Sequence, residues 1–252
     1  MANKNPFNAP TEKIDLPSKG KIYPTDHPLH AGFVEVMYPG ARQEDILTNS
    51  NYLEKGTAVD KYLESILITD VSLDDFIPGD KDALMIAARI LGFGSKYTTS
   101  VKVGKNYENV TFDLSTFKER EINWDLFTPG VNEFSYKLSR GIDVKFKLLN
   151  GKDSTRMAEE EEGMRKVQPE YSADTTLYLK YALTEVGGNR DTGKIRNFVD
   201  RELLQIDARE LKKHIVSMSP GYIWKAAGVR PNKGIVEDLQ VPYTADFFWP
   251  AY

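Results

Sequence analysis

The hydrophobic positions of this chain begin in a short strand-like run and then switch to a helical period. Phe33, Val34, Val36 and Met37 within residues 30–39 predict a strand. A short helix is predicted over residues 42–48. A second runs from Thr57, as N-cap, through Ile68, with Val59, Leu63, Ile66 and Leu67 at helical spacing. A third covers residues 81–91 with Asp80 as its cap and Gly92 and Gly94 ending it. That helix is apolar on most sides, which marks it as central to a core.

The pattern next becomes that of paired strands. Residues 97–103 and 109–114 predict one hairpin, turning at residues 104–106. Residues 133–138 and 142–149 predict a second around Ser139-Arg140-Gly141. In it Phe134, Tyr136 and Leu138 alternate against Ile142, Val144, Phe146 and Leu148. After Gly151 the helical period returns. A helix capped by Asp153 or Ser154 reaches about Gln168, and its run Glu159 to Glu162 makes it a largely solvated one. Further helices are predicted over residues 172–186, 195–204 and 207–218, the last capped by Asp207. Strands flanked by runs of helices, without a βαβ rhythm, indicate an α+β fold. The predicted layout is an extended N-terminal arm over 1–30 and an α+β domain with two hairpins over 31–150. A mainly helical region over 151–252 ends in an aromatic tail, packed on the preceding domain.

Both ends leave alternatives open. Pro6, Pro10, Pro17, Pro24 and Pro28 bias the first thirty residues away from helix, giving either a solvated arm or one that docks on a partner. The tail, with Phe247, Phe248, Trp249 and Tyr252, must bury its rings internally or present them to another protein.

Composition narrows the function class. With 40% hydrophobic and 28% charged residues among 252, the chain has the balance of a globular protein rather than a disordered one. A formal charge of −4, with basic and acidic residues interleaved, offers no footprint for nucleic acid, so none is expected as a partner. No run approaches the roughly 18–20 apolar residues that span a bilayer, and the first ten residues lack the apolar run of a signal peptide. No membrane partner is expected, and the expected site of synthesis is the cytoplasm. There is no cysteine, hence no disulfide framework and no thiolate ligand or nucleophile.

The nearest approach to catalytic chemistry is Gly188-Asn-Arg-Asp-Thr-Gly193-Lys194-Ile195. It follows the P-loop pattern until its last position, where a Ser or Thr hydroxyl should ligate Mg²⁺ and Ile195 cannot. The preceding residues read as helix, whereas a P-loop needs a buried parallel strand. Gly92-Phe-Gly94 follows a helix and precedes a strand, the reverse of a dinucleotide loop. His27 and His30 lack a visible third metal ligand, and His214 suits the last turn of a helix. Asp74-Asp75 and Glu159 to Glu162 read as solvated faces. No catalytic, cofactor-binding or metal-binding residue is expected, and no cofactor.

Several segments, in this order, resemble the T4-type bacteriophage baseplate hub proteins, a family of hub subunits and hub-assembly factors of contractile tails. They are Leu16-Pro-Ser-Lys-Gly20 with Tyr23, Glu44-Asp-Ile-Leu47, residues 82–91 leading into Gly92-Phe-Gly94 and Tyr97, Leu138-Ser-Arg-Gly141 followed by Val144-Lys-Phe-Lys-Leu148, and Phe247-Phe-Trp-Pro250. Many relatives carry cysteine pairs in the first hairpin and sometimes before the aromatic tail, which implies zinc-stapled knuckles. This chain has none there, so the hairpin must be held by packing, with Tyr107, Phe112 and Trp124 as candidates, or by a partner.

The resemblance implies a non-enzymatic, chaperone-like hub assembly factor that binds hub subunits during baseplate morphogenesis. It would work in the host cytoplasm, with the tail baseplate of the virion as its other location. The alternatives are a structural hub subunit retained in the virion and a P-loop-like nucleotide-binding enzyme. Expected partner-binding residues are Leu16, Pro17, Lys19 and Tyr23 in the arm and Phe247, Phe248 and Trp249 in the tail; the partners would be other phage baseplate hub proteins.

Overall fold

Helix α4 (Pro78–Phe93) carries the most central stretch of the chain, with Ala83, Leu84, Ile86 and Ala88 buried. In the computed structural model, which describes residues 9–168, 170, 174–231 and 233–249, it is longer than the periodicity predicts. Pro78 is pre-set for the first turn and Ile77 is the N-cap, so Asp80 lies inside the helix rather than capping it. Gly94, at φ 80°, ends it.

The expected N-terminal arm is folded where it is described. Strand β1 (Thr11–Asp15) pairs antiparallel with β2 (Phe33–Met37), Thr11 opposite Met37 and Asp15 opposite Phe33. Residues 1–8 lie outside the described residues. Helices α1 (Ala41–Leu47), α2 (Ser50–Glu54) and α3 (Ala58–Ile66) follow. Helix α2 buries no residue, so no hydrophobic period announces it.

Strands β3 (Lys96–Val103) and β4 (Asn106–Asp113) form the first predicted hairpin. A short strand β5 (Lys118–Glu119) comes next, then the second hairpin, β6 (Phe134–Lys137) and β7 (Asp143–Phe146). The mainly helical half supplies α5 (Gly151–Val167), α6 (Asp174–Ala182), α7 (Thr192–Arg201) and α8 (Gln205–Met218). It also supplies strands: β8 (Leu183–Val186) pairs with β7, β9 (Tyr222–Ile223) with β5, and β10 (Lys225–Arg230) with both β4 and β11 (Gly234–Gln240). The division expected at residue 150 therefore runs through three sheets, and a single buried cluster extends from Leu16 to Phe248. The α+β class stands, with more strand than the sequence pattern shows.

The differences have local causes. The helix expected over residues 172–186 stops at Ala182, because Leu183 to Val186 satisfy their backbone against β7 instead; Ser172 lies outside the described residues. Asn150, not Asp153, caps α5, with Asp153 returning the bond from the third helical position. Only Asp153 is buried on α5, which is the solvated helix expected. Asp207 sits in the first turn of α8 and accepts the Ser139 N–H at 2.8 Å. The β3–β4 hairpin is held by β10 and by Glu108, which pairs with Arg230 and Lys233. Of its three expected supports only Phe112 is buried there. Tyr107 is 74% exposed, and Trp124 packs on Phe127 instead.

Candidate functional site

The turn Leu16-Pro17-Ser18-Lys19-Gly20 closes through the Lys19 N–H to the Leu16 carbonyl and places both Lys19 and Gly20 at positive φ. Glycine is required at its end. A Cβ on Gly20 would stand 2.2 Å from the His30 carbonyl oxygen. The turn aims the Ser18 N–H at Asp80 Oδ1 (2.9 Å), and the Tyr23 hydroxyl donates to Asp80 Oδ2 (2.7 Å) while accepting from the Ile77 N–H (3.1 Å). These groups latch residues 16–23 onto the first turn of α4.

Burial pushes the Asp80 carboxyl up to about 6, against the opposing effect of its hydrogen bonds from Ser18 and Tyr23. Burial, with Asp80 beside it, also raises the Tyr23 hydroxyl. The His27 ring stacks on Tyr23, and His30 Nδ1 lies 2.8 Å from the Tyr23 carbonyl oxygen. These histidines serve the latch, and among the described residues no group of three or more His, Asp or Glu could hold a metal ion.

Residues 247 and 248 dock on the same core by ring packing. Phe247 lies edge-on to Tyr97 with ring centres 5.1 Å apart, and Phe248 edge-on to Tyr62 at 5.4 Å. Tyr97 donates its hydroxyl to the Pro242 carbonyl (3.0 Å), and Trp249 Nε1 donates to the Leu47 carbonyl (3.0 Å). The expected partner-binding set is corrected accordingly. Leu16, Pro17, Tyr23, Phe247 and Phe248 are buried in this chain's own core, because they fill space and satisfy polar groups around α4. Of the seven, Lys19 is exposed, with its Nζ 5.1 Å from the Trp124 ring centre, and Trp249 is half-buried.

An open groove of about 580 Å³ lies beside the latch, lined among others by Asp82, Met85, Arg120, Tyr222, Trp224 and Tyr243. Trp224 Nε1 donates to Asp82 Oδ2 (3.1 Å), and burial raises the Asp82 carboxyl against the pull of that bond and of Arg120. Burial pushes the Tyr243 hydroxyl up to about 12. Close approach of backbones makes this arrangement possible: a Cβ on Gly79 would stand 2.0 Å from the Pro220 carbonyl oxygen. Aromatic walls with one carboxylate, one guanidinium and the Lys225 ammonium suit the binding of a polypeptide or small amphipathic group. The sequence carries no local sign of this groove, since its residues come from four separate stretches, 82–85, 120, 222–225 and 240–243.

The P-loop-like stretch has another role. Strand β8 precedes it, where the periodicity predicts helix, but β8 is antiparallel to its neighbour. Asp191 caps α7 and accepts the Lys194 N–H at 2.8 Å, so a carboxylate occupies the helix end where a P-loop holds phosphate. Ile195 is buried, and Arg190 is held by Glu133 and Glu185. Among the described residues no helix is long and apolar enough to cross a membrane.

Comparison with protein-family models, with curated proteins and with solved structures finds no match to this chain.

Proposed function

We propose that this chain is a non-enzymatic assembly factor of a contractile phage tail, binding baseplate hub subunits while the hub forms. One observation supports this reading above the others. The segments that carry the resemblance to baseplate hub proteins lie as far apart as Leu16 and Trp249, yet several of them meet around α4. Ser18 and Tyr23 bond to Asp80, Tyr97 packs on Phe247, and Trp249 bonds to Leu47 of α1. Parts of one pattern that support one another within the fold favour a scaffold common to the proteins that carry it. Binding then belongs to accessible surfaces around that scaffold, and the buried motif residues act by holding those surfaces in place.

Co-expression with each baseplate hub protein of the same phage, followed by size-exclusion chromatography, tests the proposal. One stable complex is expected, together with absence of the chain from purified virions by mass spectrometry. Stoichiometric recovery from virions would make it a retained hub subunit instead. Failure to bind any hub protein would remove the baseplate reading.

A further inference from the structure

The two edges of the β1–β2 sheet are unlike. In an antiparallel ladder, residues alternate between those bonded to the partner strand and those whose N–H and C=O point away. The Leu16 N–H donates to the Gly32 carbonyl and the Tyr38 N–H to the Pro10 carbonyl, which fixes the phase of the ladder. Ile14 and Glu12 therefore bond across to β2, while Thr11, Lys13 and Asp15 direct their backbone groups outward. Glu35, opposite Lys13, confirms the phase from the other strand. Its N–H is taken by Thr69 Oγ1 and its carbonyl by the Ile68 N–H. The outer edge of β2 is thus covered at Glu35, its middle residue. Among the described residues, no hydrogen bond reaches the outward backbone groups of Thr11, Lys13 or Asp15.

A groove of about 350 Å³ runs along that open edge. Its floor is apolar, with Ile86, Ala87 and Ile90 of α4 and with Phe117 across from them. Its charged residues are Glu12, Asp15 and Glu119 against Lys13, an excess of negative charge. Lys13 places its Nζ 4.5 Å from the Phe33 ring centre, and Glu12 accepts from the Tyr38 hydroxyl. Asp15 and Glu119 are exposed and have no ion-pair partner among the described residues. Natural proteins blunt or cover free strand edges. This one is short and charged, with Glu12, Lys13 and Asp15, and it adjoins an apolar trough.

We propose that the outward edge of β1 is a strand-addition site for an extended segment of a partner protein, in which apolar residues alternate with Lys or Arg. The inference rests on the reading of the chain as a binding protein and names the chemistry of what it binds. The partner's backbone would pair with Thr11, Lys13 and Asp15. Its apolar side chains would enter the trough over α4, and its cations would meet Asp15 and Glu119.

The probe is a blocked eight-residue peptide of alternating valine and lysine, measured by fluorescence anisotropy, with its valine–glutamate counterpart as control. The lysine peptide should bind at least about ten-fold more tightly, a margin that shrinks with added salt. Lys13→Pro removes an outward N–H that β2 does not use, and should abolish binding. The pair Asp15→Lys with Glu119→Lys should do the same without changing the backbone.

Equal binding of the two peptides, no binding at millimolar concentration, or binding untouched by both variants would overturn the proposal. So would protection of the Lys13 amide from exchange in the isolated monomer, which would mean residues 1–8 fill the edge. Dimerisation abolished by Lys13→Pro would assign the edge to a second copy and also overturn it. If the peptide binds but no hub protein co-purifies, the edge stands and the baseplate reading fails. If a hub protein binds Lys13→Pro as well as it binds the wild type, the reverse holds.

Discussion

Residues 16–23 and residues 247–249 are secured around the same helix by different chemistry. At the first turn of α4 the attachment is polar: one buried carboxylate, a backbone N–H, a tyrosine hydroxyl and the Ile77 N–H form a closed set. Alongside that helix the attachment is aromatic, with Phe247 packed edge-on against Tyr97 and Phe248 against Tyr62, whose hydroxyl donates to the Ala88 carbonyl of α4. A polar latch depends on protonation and on every member being present. A ring cluster depends on volume and is indifferent to pH. The contrast separates the mutations that matter at each end.

The largest loss should come from the aromatic end. Phe247→Ala removes a fully buried ring and should cost about 3–5 kcal/mol in denaturant unfolding. Solubility of that variant at wild-type stability would mean that the tail is not core. The polar end should show itself through pH. The folded Asp80 carboxyl, at about 6, lies above its ordinary value of 3.8, so the folded state binds its proton more tightly than the unfolded state. Its contribution is fully present below the unfolded value and is lost as pH rises through about 6, by on the order of 3 kcal/mol. Comparing wild type with Asp80→Asn from pH 4 to pH 7.5 isolates this loss, because the variant should lack it. Parallel curves for the two proteins would break the contrast.

Smaller effects sharpen the comparison. Trp249→Phe keeps a ring but frees the Leu47 carbonyl, and should cost about 1 kcal/mol by thermal unfolding. Lys166→Ala, on the solvated α5 in an exposed pair with Glu162, should change stability by less than about 0.5 kcal/mol. A larger change would mean α5 packs on something that its exposure does not reveal.

Strong local periodicity explains what the sequence showed of this fold. The apolar run around Leu84 and the alternation of Phe134, Tyr136, Val144 and Phe146 identify α4 and the β6–β7 hairpin, because each buries a face. Strands β10 and β11 were not legible. They carry glycine, alanine and charged residues, and Gly228 is needed because a Cβ would stand 2.2 Å from Val110 Cγ1. Asp80 looked like a cap because acids favour helix starts; its bonds to Ser18 and Tyr23, about sixty residues away in the chain, leave no local trace. The aromatic tail shows only that its rings need burial, within the chain or on another protein, and the structure packs Phe247 and Phe248 against Tyr97 and Tyr62 of the same chain. The free edge of β1 is likewise a property of pairing, invisible until the phase of the ladder is known.

Amide hydrogen exchange of the isolated monomer tests most directly whether both ends belong to the core. The Ser18, Ile77 and Phe247 amides should be protected nearly as strongly as those in the middle of α4, because each is hydrogen-bonded. Exchange of residues 16–23 or 244–249 at the rate of an unstructured chain would contradict this, and would return those residues to the surface as partner-binding segments.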